Sequence, residues 1–264
     1  MDGVNKTLYI PLYGKAKVSK KNIILKDSTA EHIWAQESFP LKGKSKSKWL
    51  AYYMGMRACA FDAWLKEQMA RFPDAVVLHI GCGMDSRAER VGANGHLWYD
   101  VDFPDVIKER KRYFAETAQY RMLPGDARTP EWIHLLPKGK NTLIVMEGIS
   151  MYLQTDALLQ LMQACNGHFA HVSLLMDCYT SFAAKISKYK NPINDVGVTT
   201  VYGMDAPALL ENGTGFSFVK EHSMTPEYCI GQLKGLEKRI FRRIFAGSFS
   251  RKMYRLYEYQ NFPS

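Results

Sequence analysis

The chain has 264 residues, 47% of them hydrophobic and 12% aromatic, with 35 lysines and arginines against 26 acids for a net charge of +9. This suffices for one large α/β domain with a substantial core, and the length alone does not demand a second. No run approaches the roughly 18 apolar residues of a membrane span, and five irregularly spaced cysteines (Cys59, Cys82, Cys165, Cys178, Cys229) argue against a disulfide framework.

The opening MDGVNKTLYIPLYG lacks the apolar stretch of a secretory signal, so the expected location is the reducing cytoplasm. Charge is uneven along the chain: residues 1–57 hold 11 Lys and Arg against 4 acids (+7), residues 219–264 hold 9 against 4 (+5), and the middle 15 against 18 (−3). Basic ends around a slightly acidic core suit a nucleic-acid footprint, capture of an anionic small molecule, or simple solubilisation. No internal repeat is present, and the lysine-rich KGKSKSK (Lys42 to Lys48) reads as a mobile loop.

In chain order, Ser47 to Phe72 has the pattern of a long helix, closed by Pro73. Strands are expected at Val76–Ile80, Leu97–Asp102, Tyr120–Leu123, Thr142–Glu147 and Val172–Asp177. Helices are expected between them at Asp85–Val91, Pro104–Thr117, Pro130–Leu136 and Asp156–Phe169, with hydroxyl caps at Thr129 and Thr155. Thr225 onward, TPEYCIGQLKGLEKRIFRRIFAG reads as one basic amphipathic helix. Its apolar side (Ile230, Leu233, Ile240, Phe241, Ile244, Phe245) is expected to pack over a substrate cleft, with Lys234, Lys238, Arg239, Arg242 and Arg243 in solvent. The alternation of strands and helices predicts a mostly parallel sheet covered on both faces, whose ligands bind at the carboxyl ends of the strands.

The first strand ends in Gly81-Cys82-Gly83, a turn that can approach a ligand closely, followed by a helix offering its first amides. The second ends in Asp102, 21 positions after Gly81, the spacing at which an acid accepts ribose hydroxyls in nucleotide folds. Asp100 on the same strand face is an alternative, and a helix-capping role for Asp102 is another. Asp126 after the third strand suits either the amino group of adenine or a plain turn. Glu147 closes the apolar run TLIVM and needs a cationic partner. Arg57 is one, because its helical neighbours Leu50, Tyr53, Met54, Ala60, Phe61 and Trp64 are all apolar and put it on the buried face. Either Arg57 and Glu147 pair directly, or a zwitterion sits between them, carboxylate on Arg57 and ammonium on Glu147. The amino-acid end of S-adenosylmethionine is such a zwitterion.

The segments TLYIPLYGKA, ILKDSTAEHI, RACAFD, VVLHIGCGMDSRAERV, LWYDVDFPDVIKER, GDARTPEW and MEGISMYL together resemble the leucine carboxyl methyltransferase family, in its bacterial branch of polyketide-synthesis O-methyltransferases, over roughly residues 7–160. The resemblance implies a class I S-adenosylmethionine-dependent methyltransferase: a Rossmann-like three-layer α/β sandwich with a seven-stranded, mostly parallel sheet whose last strand is antiparallel, and an N-terminal helical extension. It implies one domain, divided into a helical cap (1–72), a nucleotide-binding core (73–180) and a substrate or lid region with the final strands (181–264). S-Adenosyl-L-methionine would be the donor and S-adenosyl-L-homocysteine the product. Arg57 would hold the methionine carboxylate, Gly81, Cys82 and Gly83 the cofactor turn, Asp102 the ribose, Asp126 and Ala127 the adenine, and Glu147 the ammonium. Nothing in the first 50 residues carries a ligand over.

The acceptor implied is a small acidic or hydroxylated molecule. A carboxylate, with a pKa of about 4, is ionised at neutral pH and needs no general base; a hydroxyl needs one, and His222, Asp177 and Tyr152 are the candidates. Tyr152 is the preferred substrate contact. No metal is expected: Cys165, His168 and His171 in CNGHFAH straddle a helix end without a second ligand pair. Tyr13 and Lys17 resemble a dehydrogenase dyad but precede the nucleotide fold. The competing readings are an NAD(P)-dependent oxidoreductase, which leaves Arg57 and Glu147 without a role, and an RNA methyltransferase or nucleic-acid binder using the basic ends, which lacks a stacking platform.

Overall fold

The computed structural model describes residues 7–261 apart from 37, 38, 40, 42, 94 and 188–199; residues 1–6 of the opening stretch and Lys42 of the lysine-rich run lie outside the described residues. Two helices, α1 (Tyr9–Lys20) and α2 (Ser28–Gln36), precede a 3-10 turn at Gly43–Lys46 and the 24-residue α3 (Lys48–Arg71). The lysine-rich run is therefore a turn with Ser45 buried, leading into a cap in which the Ser47 hydroxyl accepts from Trp49 N at 3.3 Å. The sheet strands are β1 (Val76–Ile80), β2 (Trp98–Asp102), β3 (Tyr120–Pro124), β4 (Asn141–Met146), β5 (His171–Tyr179), β6 (Phe216–His222) and β7 (Tyr254–Asn261). Around them lie α4 (Arg87–Val91), α5 (Pro104–Arg110), α6 (Thr155–His168), α7 (Ser181–Ile186), α8 (Ala208–Glu211), α9 (Glu227–Ile230), α10 (Gly235–Ile244) and α11 (Ser248–Arg251).

Each of the five expected strands forms within about two residues of its place, but the helices are trimmed. The first after the glycine turn begins only at Arg87, and α5 ends at Arg110, whose side chain turns inward to Asp100. Residues Pro130–Leu135 form a 3-10 turn, and neither Thr129 nor Thr155 caps with its hydroxyl: Gln154 holds the cap position of α6.

The strand order is β3-β2-β1-β4-β5-β7-β6, with β1 to β5 parallel and β7 antiparallel to both its neighbours. Alternate residues of each strand feed opposite faces. Leu78, Ile80, Ile144 and Met146 pack with α6 and the 130–135 turn, whereas Val77, Leu143, Val145 and Leu175 pack with Phe61, Trp64 and Leu65 of α3. Each fully buried Leu, Val or Phe contributes about 1.5–3 kcal/mol, so the two apolar layers clamp the sheet between them.

The basic C-terminal helix is broken in two. Gly231 and Gly235, the latter at φ +51°, separate α9 from α10. Neither piece lines the cleft described below. Phe241 is buried beside Tyr52 (ring centroids 6.4 Å apart) and Phe245 stacks on Trp49 (5.7 Å), joining Val18, Ile24 and Met56 on the side of α3 away from the cleft. Ile230 and Leu233 are buried as expected, but Ile244 is 52% exposed. The basic side chains remain in or near solvent, Arg242 pairing with Glu227. Among the described residues, no helix is long and apolar enough to cross a membrane.

Candidate active site

Strand register builds the site. Ile80 of β1 pairs with Val101 of β2 and with Met146 of β4, and Met146 pairs with Met176 of β5. The next residues, Gly81, Asp102, Glu147 and Asp177, therefore form one row along the carboxyl edge of the sheet. A cavity of about 530 Å³ opens over this edge, roofed by α1 and its approach (Leu8, Ile10, Pro11, Lys15) and walled by Leu50, Met54 and Arg57 of α3.

Gly81 and Gly83 have φ of +71° and +51°, a backbone region that L side chains avoid. At Gly81 an added Cβ would run into Ile149 Cγ2, so this glycine makes room for the loop after β4. The amides of the turn are occupied: Gly81 N and Cys82 N donate to Val101 O at 2.7 and 3.3 Å, and Gly83 N donates to Asp102 Oδ2 at 2.7 Å. The expected crown of helix amides is thus replaced by a turn tied to β2. Cys82 is a buried wall of the cavity, and burial pushes its thiol well above the usual range.

Asp102 accepts from Gly83 N and, through Oδ1, from Phe103 N at 2.8 Å, while burial raises its pKa to about 6 against these two bonds. The alternative, Asp100, is excluded from the cavity. Its oxygens take Arg110 Nη2 and the Tyr120 hydroxyl, each at 2.5 Å, and Trp98 Nε1 at 2.8 Å, all inside the core. Asp126 and Ala127 line the cavity, where Asp126 chelates Arg128 (Nε at 2.9 Å from both oxygens). Burial opposes ionisation of Asp126, but the Arg128 hydrogen bonds prevail and hold its carboxyl below the usual range.

Arg57 and Glu147 meet directly, Nε to Oε1 at 2.9 Å, and both line the cavity. Arg57 Nη1 donates to Asp177 Oδ2 at 3.1 Å and the Tyr254 hydroxyl at 3.0 Å; among the described residues its Nη2 carries no hydrogen bond. Glu147 also pairs with Arg87, a residue that the sequence reading passed over. From Arg87 a buried chain of charge continues to Asp62 (2.8 Å), Arg90 (2.8 Å), Asp85 (2.6 Å) and Lys15 (3.1 Å). Burial raises the pKa of Glu147, but Arg57 and Arg87 outweigh it and bring it to about 2. Burial, with repulsion from Glu147, raises Asp177 to about 6 against Arg57 and the hydrogen bonds from Gly148 N and Tyr254. The unread signal was a charged residue, Asp62, within the apolar α3, facing two arginines just past the glycine turn.

Tyr152 lines the cavity, its phenol raised by burial so that it stays a donor. His222 lies elsewhere, on β6, bonded to Glu258 at 2.6 Å. Tyr13 accepts from Lys17 at 2.7 Å outside the cavity. His168 and His171 are taken by the carbonyls of Leu136 and Asn261.

A family model described as leucine carboxyl methyltransferase matches residues 13–166, more than half of the chain and most of the site, leaving out the cavity residues before position 13 and those of β5 and β7. The chain belongs to the leucine carboxyl methyltransferase family. As a member of that family it is an S-adenosylmethionine-dependent methyltransferase. It is similar to the tetracenomycin polyketide synthesis O-methyltransferase TcmP of Streptomyces glaucescens, with 29% identity over 90% of this chain and 89% of that one. It is also similar to the S-adenosyl-L-methionine-dependent methyltransferase dpfgK of Gibberella zeae, with 27% identity over 80% and 78%. Its fold matches magnesium protoporphyrin IX methyltransferase from Synechocystis solved with bound S-adenosylhomocysteine (TM-score 0.53, 13% identity, 89% of this chain and 94% of that one). These likenesses lend no support to the oxidoreductase or nucleic-acid readings.

Proposed function

We propose that this family member methylates the carboxylate of a small, polyketide-like acid, holding the donor across the strand-end row. The observation that carries the reading is the pairing, in one cavity, of Arg57 and Glu147 at one end with Asp102 and Asp126 toward the other. The donor set fits S-adenosylmethionine. Arg57 keeps Nη2 for a carboxylate, Glu147 stays ionised to meet an ammonium, and Asp102 is aimed by two backbone amides with lone pairs left for hydroxyls. Asp126 and Ala127 flank the adenine, and the turn Gly81-Cys82-Gly83 forms the floor.

Bound there, S-adenosylmethionine supplies a methyl group on a sulfonium, open to in-line displacement. The chain's share is alignment in a dry pocket, an effect of up to about 7–11 kcal/mol. The roof from α1 keeps water out, and Tyr152 donates its hydroxyl to the acceptor. A carboxylate acceptor is favoured because the candidate bases are not available to a hydroxyl: His222 is outside the cavity, Asp177 is engaged by Gly148, Arg57 and Tyr254, and Tyr152 remains protonated.

The test is methyl transfer to matched pairs of aromatic polyketide acids and their decarboxylated phenols, read by mass spectrometry. Methyl esters from the acids alone support the proposal; ethers from the phenols alone, with the acids untouched, refute it.

A further inference from the structure

The two basic ends of the chain meet at α10. Lys48, at the start of α3, pairs with Glu237 of α10 at 2.8 Å. Lys21, just past α1, donates to the Tyr52 hydroxyl at 2.9 Å, which donates in turn to Glu237 at 2.9 Å. Glu237 is the one acid among seven cations between Lys234 and Lys252, and these bonds turn it toward α3. Arg242 is held by Glu227, whereas Arg239 and Arg243 are exposed and, among the described residues, enter no ion pair. The apolar face of the same helix is only half covered. Phe241 goes into the core, but Leu236, Ile240 and Ile244 follow one another four residues apart in a single row, with Leu236 69% and Ile244 52% exposed. Arg239 stands three residues after Leu236 and Arg243 three after Ile240, so the arginines form a second row beside the aliphatic one. Phe249 of α11 follows, 58% exposed, with Arg251 and Lys252 just after it, both exposed.

We propose that this face of α10 docks on an anionic phospholipid bilayer, with Leu236, Ile240 and Ile244 entering the headgroup boundary and Arg239 and Arg243 on the lipid phosphates. Helices with aliphatic side chains along one edge and arginines beside them lie in that interface. The arginine stems run alongside the buried apolar groups and keep the guanidinium at the phosphates. Each cation near an anionic surface strengthens binding about fivefold. Other occupants answer only one of the two rows. A nucleic-acid backbone pairs with the arginines but leaves the aliphatic row in water, and that row holds no ring on which a base could stack. A second copy of the chain would set cation against cation. The row spans about 12 Å of helix, and three aliphatic side chains are small beside the roughly 800 Å² per partner of a standard protein interface. A bilayer needs no matching groove and accepts a convex ridge of this size. Because α10 packs on the side of α3 away from the cleft, docking through it does not engage the residues that line the cleft.

The full-length protein is sedimented with sucrose-loaded vesicles of phosphatidylcholine alone, or of equimolar phosphatidylcholine and phosphatidylglycerol, at low and at high salt. It should pellet with the anionic vesicles at low salt, less so at high salt, and stay in the supernatant with the neutral ones. Arg239→Glu combined with Arg243→Glu turns two cations into two anions and should weaken binding on the order of 100-fold or more. Leu236→Ser combined with Ile244→Ser keeps every charge and should weaken it about 10-fold. Both pairs are checked for a native circular dichroism spectrum, and Leu236→Ser alone repeats the test if the serine pair fails to fold. No pelleting with anionic vesicles at low salt, or pelleting that survives the arginine reversal, would overturn the proposal. So would a serine pair that binds vesicles as the wild type does while duplex DNA is bound as tightly, which would make the face a polyanion site. A dimer in sedimentation velocity that the serine pair abolishes would give the row to a second copy and overturn it as well.

Discussion

At Asp102, burial and hydrogen bonding act in opposite directions. Burial wins, and the carboxyl titrates near pH 6 instead of near 4. A raised folded pKa stabilises the fold fully below the unfolded value of about 3.9, and that contribution is lost as pH rises through about 6. In the proposed site donor binding runs the other way, since only the carboxylate would accept both ribose hydroxyls. Affinity for S-adenosylmethionine should therefore fall as pH drops through 6, and Asp102→Asn should bind weakly at every pH; a calorimetric pH series that is flat for the wild type would contradict this. Gly81 makes a second prediction. Alanine there meets both a positive φ and Ile149, so Gly81→Ala should lower stability by about 2 kcal/mol or more in urea unfolding. Arg57 and Glu147 were legible in the sequence because a charge inside an apolar run requires a partner, and Asp102 because of its spacing from Gly81. Asp85 and Arg87 were not, because they sit among polar neighbours, and Lys15, in a stretch with few matches to the family, was passed over; packing buries all three.

Among the elements, the strands were legible because apolar runs of five or six residues ended by glycine or aspartate leave little choice of place. The C-terminal helices were not. Their apolar pattern was read correctly at Ile230, Leu233 and Phe241 but not at Ile244; periodicity fixes a face without fixing what it meets, and the glycines at 231 and 235 break the axis. The packing of α10 on the outer side of α3 separates stability from catalysis. Phe241→Ala should cost about 3–5 kcal/mol, whereas Leu236→Ser, on the exposed face, should stay within about 0.5 kcal/mol. Reversing Arg239 and Arg243 to glutamate should leave acceptor kcat/KM unchanged; a large loss there would return the helix to the cleft.

Over the whole molecule, one buried network of charge joins the helical cap to the sheet. Lys15 of α1, Asp62 and Arg57 of α3, Asp85 just before α4, Arg87 and Arg90 of α4, and Glu147 after β4 are linked by ion pairs, so the N-terminal helices and the proposed donor site are parts of one structure. Removing one member leaves the others buried and uncompensated, and Arg87→Met should cost about 3–5 kcal/mol in denaturant unfolding. The network also raises the central question, since Arg57 and Glu147 pair with each other while being assigned to the two ends of a zwitterion. Calorimetric titration of S-adenosylmethionine and S-adenosylhomocysteine into the wild type, Arg57→Ala and Glu147→Gln, each checked for a native near-ultraviolet spectrum, tests this most directly. Loss of one charge-assisted hydrogen bond is worth about 1.5–3 kcal/mol, so wild-type binding should weaken about 10- to 100-fold in both variants. Folded variants that bind both ligands as the wild type does would make the pair purely structural and remove the zwitterion site.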